Sequence, residues 1–229
     1  MRTLLVVLAL LVVLALVADP VAEGIAEDRV AEALRDAGGL AATPDVDVRG
    51  WPFLTQAVSG TYDDVRISLT ADELGQPEGT RADVRLRGAH VPLSDALSGS
   101  VGEVPVDHLD GTATLSYALL AAQLGGDTTL AREGDGLRVT RTVEVLGRDV
   151  PLTAVGTVSL DGQDLVVDVE DAEAAGVGVP DLLVDRASDL LDLRYSVPPL
   201  PFGLRLTSVT PAQDGVVVGL EATDAVFGG

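Results

Sequence analysis

"RGWPFLTQAVSGTYDDVRISL", residues 49–69, holds the chain's only Trp and, within a dozen residues, three of its seven aromatics. Pro52 suits the first position of a short helical turn through "PFLTQAV", and Gly60 supplies the stop. "TYDDVRISLT" then alternates, with Val65, Ile67 and Leu69 inward and Asp64, Arg66 and Ser68 outward, the period of a half-buried strand. Just upstream, "TPDVDVRG" places Val46 and Val48 on one face in the same way. The stretch therefore reads as a strand, turn-helix, strand junction, which commits this part of the chain to a mixed α+β fold.

Upstream, "VAEGIAEDRVAEALRDAGGL" sets Val21, Ile25, Ala26, Val30, Ala33, Leu34 and Ala37 on one helical stripe, and Gly38-Gly39 end it. Ahead of that helix come fifteen uninterrupted apolar residues, Leu4 to Ala18, followed by Asp19-Pro20. At ~1.5 Å per residue the run is about 22 Å long, short of a ~30 Å hydrocarbon core, so it resembles a signal h-region more than a full span. A cut after Ala18 would put Leu16 where a small residue is preferred, which keeps an uncleaved anchor open. Residues 1–20 thus read as a signal peptide or N-terminal membrane anchor, and residues 21–229 as a single domain working outside the cytoplasm.

Downstream the pattern is mostly strand. "RADVRLRGAHVPL" carries Val84 and Leu86 on one face, and "LSDALSG" makes a short helical break. "GTATLSYALLAAQLG" joins a strand presenting Ala113, Leu115 and Tyr117 to a helical segment ending at Gly125-Gly126. "GLRVTRTVEVLG" is a strand with Leu137, Val139, Val143 and Val145 inward. "RDVPLTAVGTVSLDGQDLVVDVE" predicts two strands turning at Asp161-Gly162. "PDLLVDRASDLLDLRYSV" predicts a second helix, because Leu182, Leu183, Arg186, Ala187, Leu190 and Leu191 keep three-four spacing behind Pro180. The chain then predicts a closing hairpin, with Leu204 and Leu206, a turn at Asp214-Gly215, and Val216, Val218 and Leu220.

Composition narrows the functions. The formal charge is −21, every basic residue is Arg, and cysteine is absent. No basic stripe exists for phosphate backbones, which argues against a nucleic-acid partner, and neither disulfides nor thiolate chemistry is available. No nucleophile elbow, P-loop, zinc-protease helix or dinucleotide fingerprint occurs. His90 and His108 are the only imidazoles. "VDHLDG" flanks His108 with Asp107 and Asp110, but neighbours on a strand face opposite ways, so a turn before the Gly111 strand explains the segment better than a metal site. A hydrolase using His108 ranks last, and no catalytic residue, metal or cofactor is expected. What remains is aliphatic surface, for which composition alone favours a filled core over a ligand cavity.

Three segments change that balance. "PDVDVRGWPFLTQAVSGTYDDVRISL", "VPLSDALSGSVGEVPVDHLDGTATLSY" and "LPFGLRLTSVTPAQDGVVVGLEATD", in that order behind an apolar N-terminus, resemble the LmeA-like phospholipid-binding family of actinobacterial cell envelopes. The chain departs from the family's pattern at Trp51, where Phe or Tyr is expected, and at Tyr117-Ala118-Leu119, where an acidic residue is expected. The resemblance implies a tubular lipid-binding (TULIP-like) fold, a curved antiparallel sheet wrapped on a long amphipathic helix, with an apolar groove for acyl chains. It implies phospholipid partners, including phosphatidylinositol types, a membrane surface, and a link to envelope enzymes of lipoglycan maturation. The expected groove residues are Trp51, Phe53, Leu54, Tyr62, Leu115, Tyr117, Leu182, Leu190 and Phe202, with Arg49 as a phosphate contact or, equally, a surface partner of Asp45 or Asp47. The alternative function is a scaffolding envelope domain whose aliphatic core is full.

Overall fold

The computed structural model describes residues 2–98, 103–124, 128–145, 148–174, 177–178, 193–196, 200 and 203–227. It is α+β, with antiparallel, unclosed sheets and an N-terminal helix. Two compact units form: Met1–Leu69 with Asp83–Asp110 and Ala222–Gly229, and Thr70–Ala82 with Gly111–Glu221.

The first unit opens with α1 (Arg2–Gly38), one helix that runs through Pro20. The apolar run and the amphipathic stretch behind it are thus one helix, which tolerates Pro20 although that residue supplies no N–H to the Leu16 carbonyl one turn back. The expected stripe of α1 is met in part. Ala26 and Leu34 pack against the core, joined by Ala22 and by the buried Asp19 and Ala31, whereas Val21, Ile25 and Val30 stay exposed. Small residues let the helix approach closely, so that the Glu27 carboxylate accepts the backbone N–H of Val48 at 2.8 Å. A periodicity argument weighs apolar size and does not register this polar docking.

β1 (Asp45–Arg49) pairs antiparallel with β3 (Asp64–Leu69), placing Val46 opposite Ile67 and Val48 opposite Val65. Between them lie α2 (Phe53–Ser59) and β2 (Thr61–Tyr62). The predicted junction is therefore present, with two refinements. Pro52 is the N-cap, one position ahead of the helix, and Asp63 splits the predicted strand into β2 and β3. Next come α3 (Ala71–Leu74), β4 (Arg81–His90), α4 (Leu93–Ser98) and β5 (Val104–Ser116). β5 runs straight through "VDHLDG" with Val106 and Leu109 buried, so that segment is strand and not the expected turn.

In the second unit α5 (Tyr117–Leu124) precedes a run of hairpins. These are β6 (Thr128–Glu133), which the sequence pattern does not predict, β7 (Gly136–Val145), β8 (Arg148–Asp161) and β9 (Asp164–Ala174). β10 (Val177–Gly178) and β11 (Leu193–Ser196) both pair with β9. The sheet order is β10-β9-β8-β7-β6. β12 (Arg205–Pro211) and β13 (Gly215–Phe227) belong to the other sheet, ordered β1-β3-β4-β5-β13-β12. The tight turns sit one residue off the predicted Asp-Gly pairs. Asp161 pairs with Asp164 across Gly162-Gln163, with Gly162 at φ +67°, and Ala212 N–H donates to Gly215 O at 2.8 Å around Gln213-Asp214. Of the predicted second helix, residues 180–192 lie outside the described residues, and Leu193–Ser196, near its end, is strand.

Candidate functional site

The opening motif builds a corner held by side chains reaching to backbone. Gln56, buried on α2, donates through Nε2 to Gly50 O at 3.0 Å and to Arg49 O at 3.4 Å, and its Oε1 accepts the Asp63 N–H at 3.0 Å. It thus ties the end of β1 to the start of β3. Gly50 is needed there, because at φ +118° a Cβ would lie 2.6 Å from Gln56 Nε2. Gly60 closes α2 at φ 72°, donating to Gln56 O at 2.8 Å.

The N-terminus of α2 is capped from a distance. Asp19, only 3% exposed, accepts the N–H of Phe53 at 2.9 Å and of Leu54 at 2.8 Å. No side chain within the local sequence performs this capping. An acidic group on the first N–H groups of a helix satisfies orphan donors and complements the dipole. In the sequence Asp19 stands only as the carboxylate that ends the fifteen-residue apolar run, and that is its one legible signal.

The corner divides the expected site residues into inner and outer ones. Phe53 is 4% exposed and packs with Ala31, Val46, Val48, Ala57 and Val65, its ring 6.1 Å from that of Tyr62. Burial pushes the Tyr62 hydroxyl pKa up. Facing out are Trp51, 75% exposed, and Val58, 74% exposed, with Leu54 half-buried one turn before Val58. Arg49 pairs with Asp47 at 2.6 Å on the surface.

In the second unit, Leu115 and Tyr117 stand at the β5–α5 join. Thr114 and Ser116 are buried on one face there, and on the other the expected Ala113 and Tyr117 are half-buried against the Leu137, Leu206, Val216 and Val218 cluster. Ser116 Oγ accepts from Thr80 Oγ1 at 3.0 Å and from Leu119 N–H at 3.2 Å, so it caps α5. That cap places Tyr117, whose hydroxyl donates to Ala212 O at 2.7 Å and whose pKa is pushed up mainly by burial. Beside it lies an open recess of about 430 Å³, lined by Tyr117, Leu130, Ala131, Arg132, Gly134 and Gln213. Arg132 was not expected at a site; β6, which carries it, alternates too weakly to be read. Leu182, Leu190 and Phe202 lie outside the described residues.

The imidazoles sit at strand surfaces. His90 Nε2 is 3.8 Å from Asp107, and His108 Nε2 is 3.8 Å from Asp110, which also takes Arg87 at 2.7 Å. Among the described residues, no three His, Asp or Glu side chains cluster as metal ligands would.

These features define an α+β protein of antiparallel sheets whose N-terminal helix is apolar and long enough to cross a membrane by length and composition. Comparison with known families makes this specific: residues 17–221 match the model of the LmeA-like phospholipid-binding family, and the chain belongs to that family. Lipid is accordingly the family's ligand, and the family is not a known enzyme family. No curated protein and no solved structure matched the chain.

Proposed function

We propose that this is an exported, non-enzymatic protein of the cell envelope that takes phospholipid acyl chains into an apolar groove and transfers or presents them, supporting lipoglycan maturation. The single observation that carries the reading is the family match over residues 17–221. In this reading the sheets belong to a tubular lipid-binding architecture, curved around a helix, and export follows from the apolar N-terminal segment. Trp51, Leu54, Tyr62, Leu115 and Tyr117 contact lipid, with Phe53 as the floor beneath the corner and Leu182, Leu190 and Phe202 as further lining.

Physical chemistry supports this for so acidic a chain. Burying one acyl methylene contributes about 0.8 kcal/mol, so a ~16-carbon tail supplies on the order of 10 kcal/mol before ordering costs, with no basic patch required. A head group needs only local donors. Arg49, which pairs with Asp47, is one proposed phosphate contact, and Arg132 on the Tyr117 recess is another. A phosphatidylinositol-type ligand and partner enzymes of the envelope complete the proposal.

The filled cluster around Phe53 favours a second reading, a scaffolding envelope domain that binds proteins. Lipid mass spectrometry of the full chain, purified in detergent and exchanged against labelled liposomes, separates the two. Lipid binding predicts stoichiometric phospholipid and uptake of label; scaffolding predicts neither.

A further inference from the structure

We propose that α1 remains part of the mature protein and that the corner it holds, Trp51 with Leu54 and Val58, seats in the lipid–water interface of the membrane into which residues 4–18 insert. The inference rests on reading those residues as an anchor and adds where the folded unit meets the bilayer.

Geometry carries it. Leu4 to Val7, Leu10, Val12 to Leu14, Leu16 and Val17 are exposed, and on the helix side facing away from the folded unit the exposure continues through Val21 and Ile25. The fifteen-residue run spans ~22 Å, about 8 Å short of a hydrocarbon core, so the bilayer thins around an inserted helix and Asp19, the residue that ends the run, lies at the interface. A free carboxylate there would resist insertion. This one is buried, with both oxygens occupied by the Phe53 and Leu54 N–H groups. The same two bonds pin α2 to the helix at the level of the interface. Trp51 is two residues from Phe53, at most ~7 Å along the backbone. Its amphipathic ring, 75% exposed, is of the type enriched at that depth. Leu54 and Val58 share one face of α2 by their four-residue spacing.

Charge identifies the kind of contact. Burial, and after it the charges of Glu27, Asp19 and Asp47, push the Glu23 pKa up. Arg49, the cation next to the corner, is paired with Asp47. The seat is therefore apolar, and neither anionic lipid nor low salt is required.

Trp51 is the only Trp, so the test needs no engineered probe. The full chain is reconstituted into phosphatidylcholine vesicles. Flotation reports the anchor, and Trp51 emission, with lipids brominated near the head group and aqueous iodide as quenchers, reports the corner. The expected result is flotation with blue-shifted emission, several-fold stronger quenching by shallow bromine than by iodide, and no change on adding salt. Val58→Asp, at an exposed position that leaves the fold intact, should still float while losing most of the bromine quenching. Asp19→Ala should do the same, with Asp19→Asn recovering part of it. Flotation with Trp51 open to iodide overturns the seat and leaves the anchor; failure to float overturns both. An intact mass from cell membranes that begins at Asp19 also overturns the proposal. Lipid carried in the groove is read separately, by the mass spectrometry above.

Discussion

The two units are held together by different means. In the first, Asp19 and Glu27 satisfy backbone groups more than 20 residues away, Gln56 satisfies those of the turns on either side of α2, and one aromatic pair fills the space beneath. In the second, Leu137, Leu206, Val216 and Val218 form an aliphatic cluster between hairpins, and one Gln163 reaches across to Leu206 N–H at 3.0 Å. A chain that passes from β1 through α2 and β2 to β3 between residues 49 and 64 leaves many backbone groups outside regular ladders and needs polar side chains to meet them. Long hairpins satisfy their own backbone and need only apolar faces. The first unit should therefore be sensitive to loss of single polar atoms, and the second mainly to loss of volume.

Removing volume from the corner gives the largest effect. Phe53→Ala should cost about 3–5 kcal/mol, and Leu137→Ala in the other unit about 2–4 kcal/mol, both read by urea unfolding. A Phe53→Ala cost below ~1 kcal/mol would show that the cluster is not a core, contrary to the burial of its members.

Polar substitution sharpens the contrast. Asp19→Ala should cost about 1–2 kcal/mol through the lost cap. A chain beginning at residue 21 should lose as much, and one beginning at Asp19 much less. A Gln163→Ala loss equal to that of Asp19→Ala would break the comparison.

The smallest effect concerns pH. Arg85, through two bonds of 2.7 Å, together with Arg66, holds the Asp64 carboxyl below its ordinary range. The unfolded chain therefore takes up the proton at higher pH than the folded one. The pair's contribution is complete above about pH 4, the ordinary range of an aspartate, and fades as pH falls through the lower folded value. Wild type and Asp64→Asn should differ at neutral pH and converge in acid; a constant gap would show that the ion pair is not the source. Arg85 is partly exposed, so solvent screening keeps the effect small.

Much of the fold was legible because it rests on short-range pattern. Val46, Val48 and Val65 alternate, Gly60 stops α2, and Val216 and Val218 face inward as their spacing requires. The misreadings share a cause. α1 turns its small and acidic side inward because Asp19 and Glu27 find donors in α2 and β1, partners more than 20 residues away. β6 has a single large aliphatic, Leu130, and its partner β7 supplies the pattern it lacks. Of the candidate site, the corner was visible as an aromatic cluster, but its division into a buried Phe53 and an outward Trp51 depends on that tertiary cap. The recess beside Tyr117 was not legible, since Arg132 and Gln213 reach it from separate hairpins.

The central claim is that the chain carries phospholipid. Mass spectrometry of lipids extracted from the purified full chain, with the detergent-only extract as control, tests it most directly. The account predicts phospholipid near one molecule per chain, exchangeable with labelled liposomes. A chain that is folded, free of lipid and unable to take label up would contradict it.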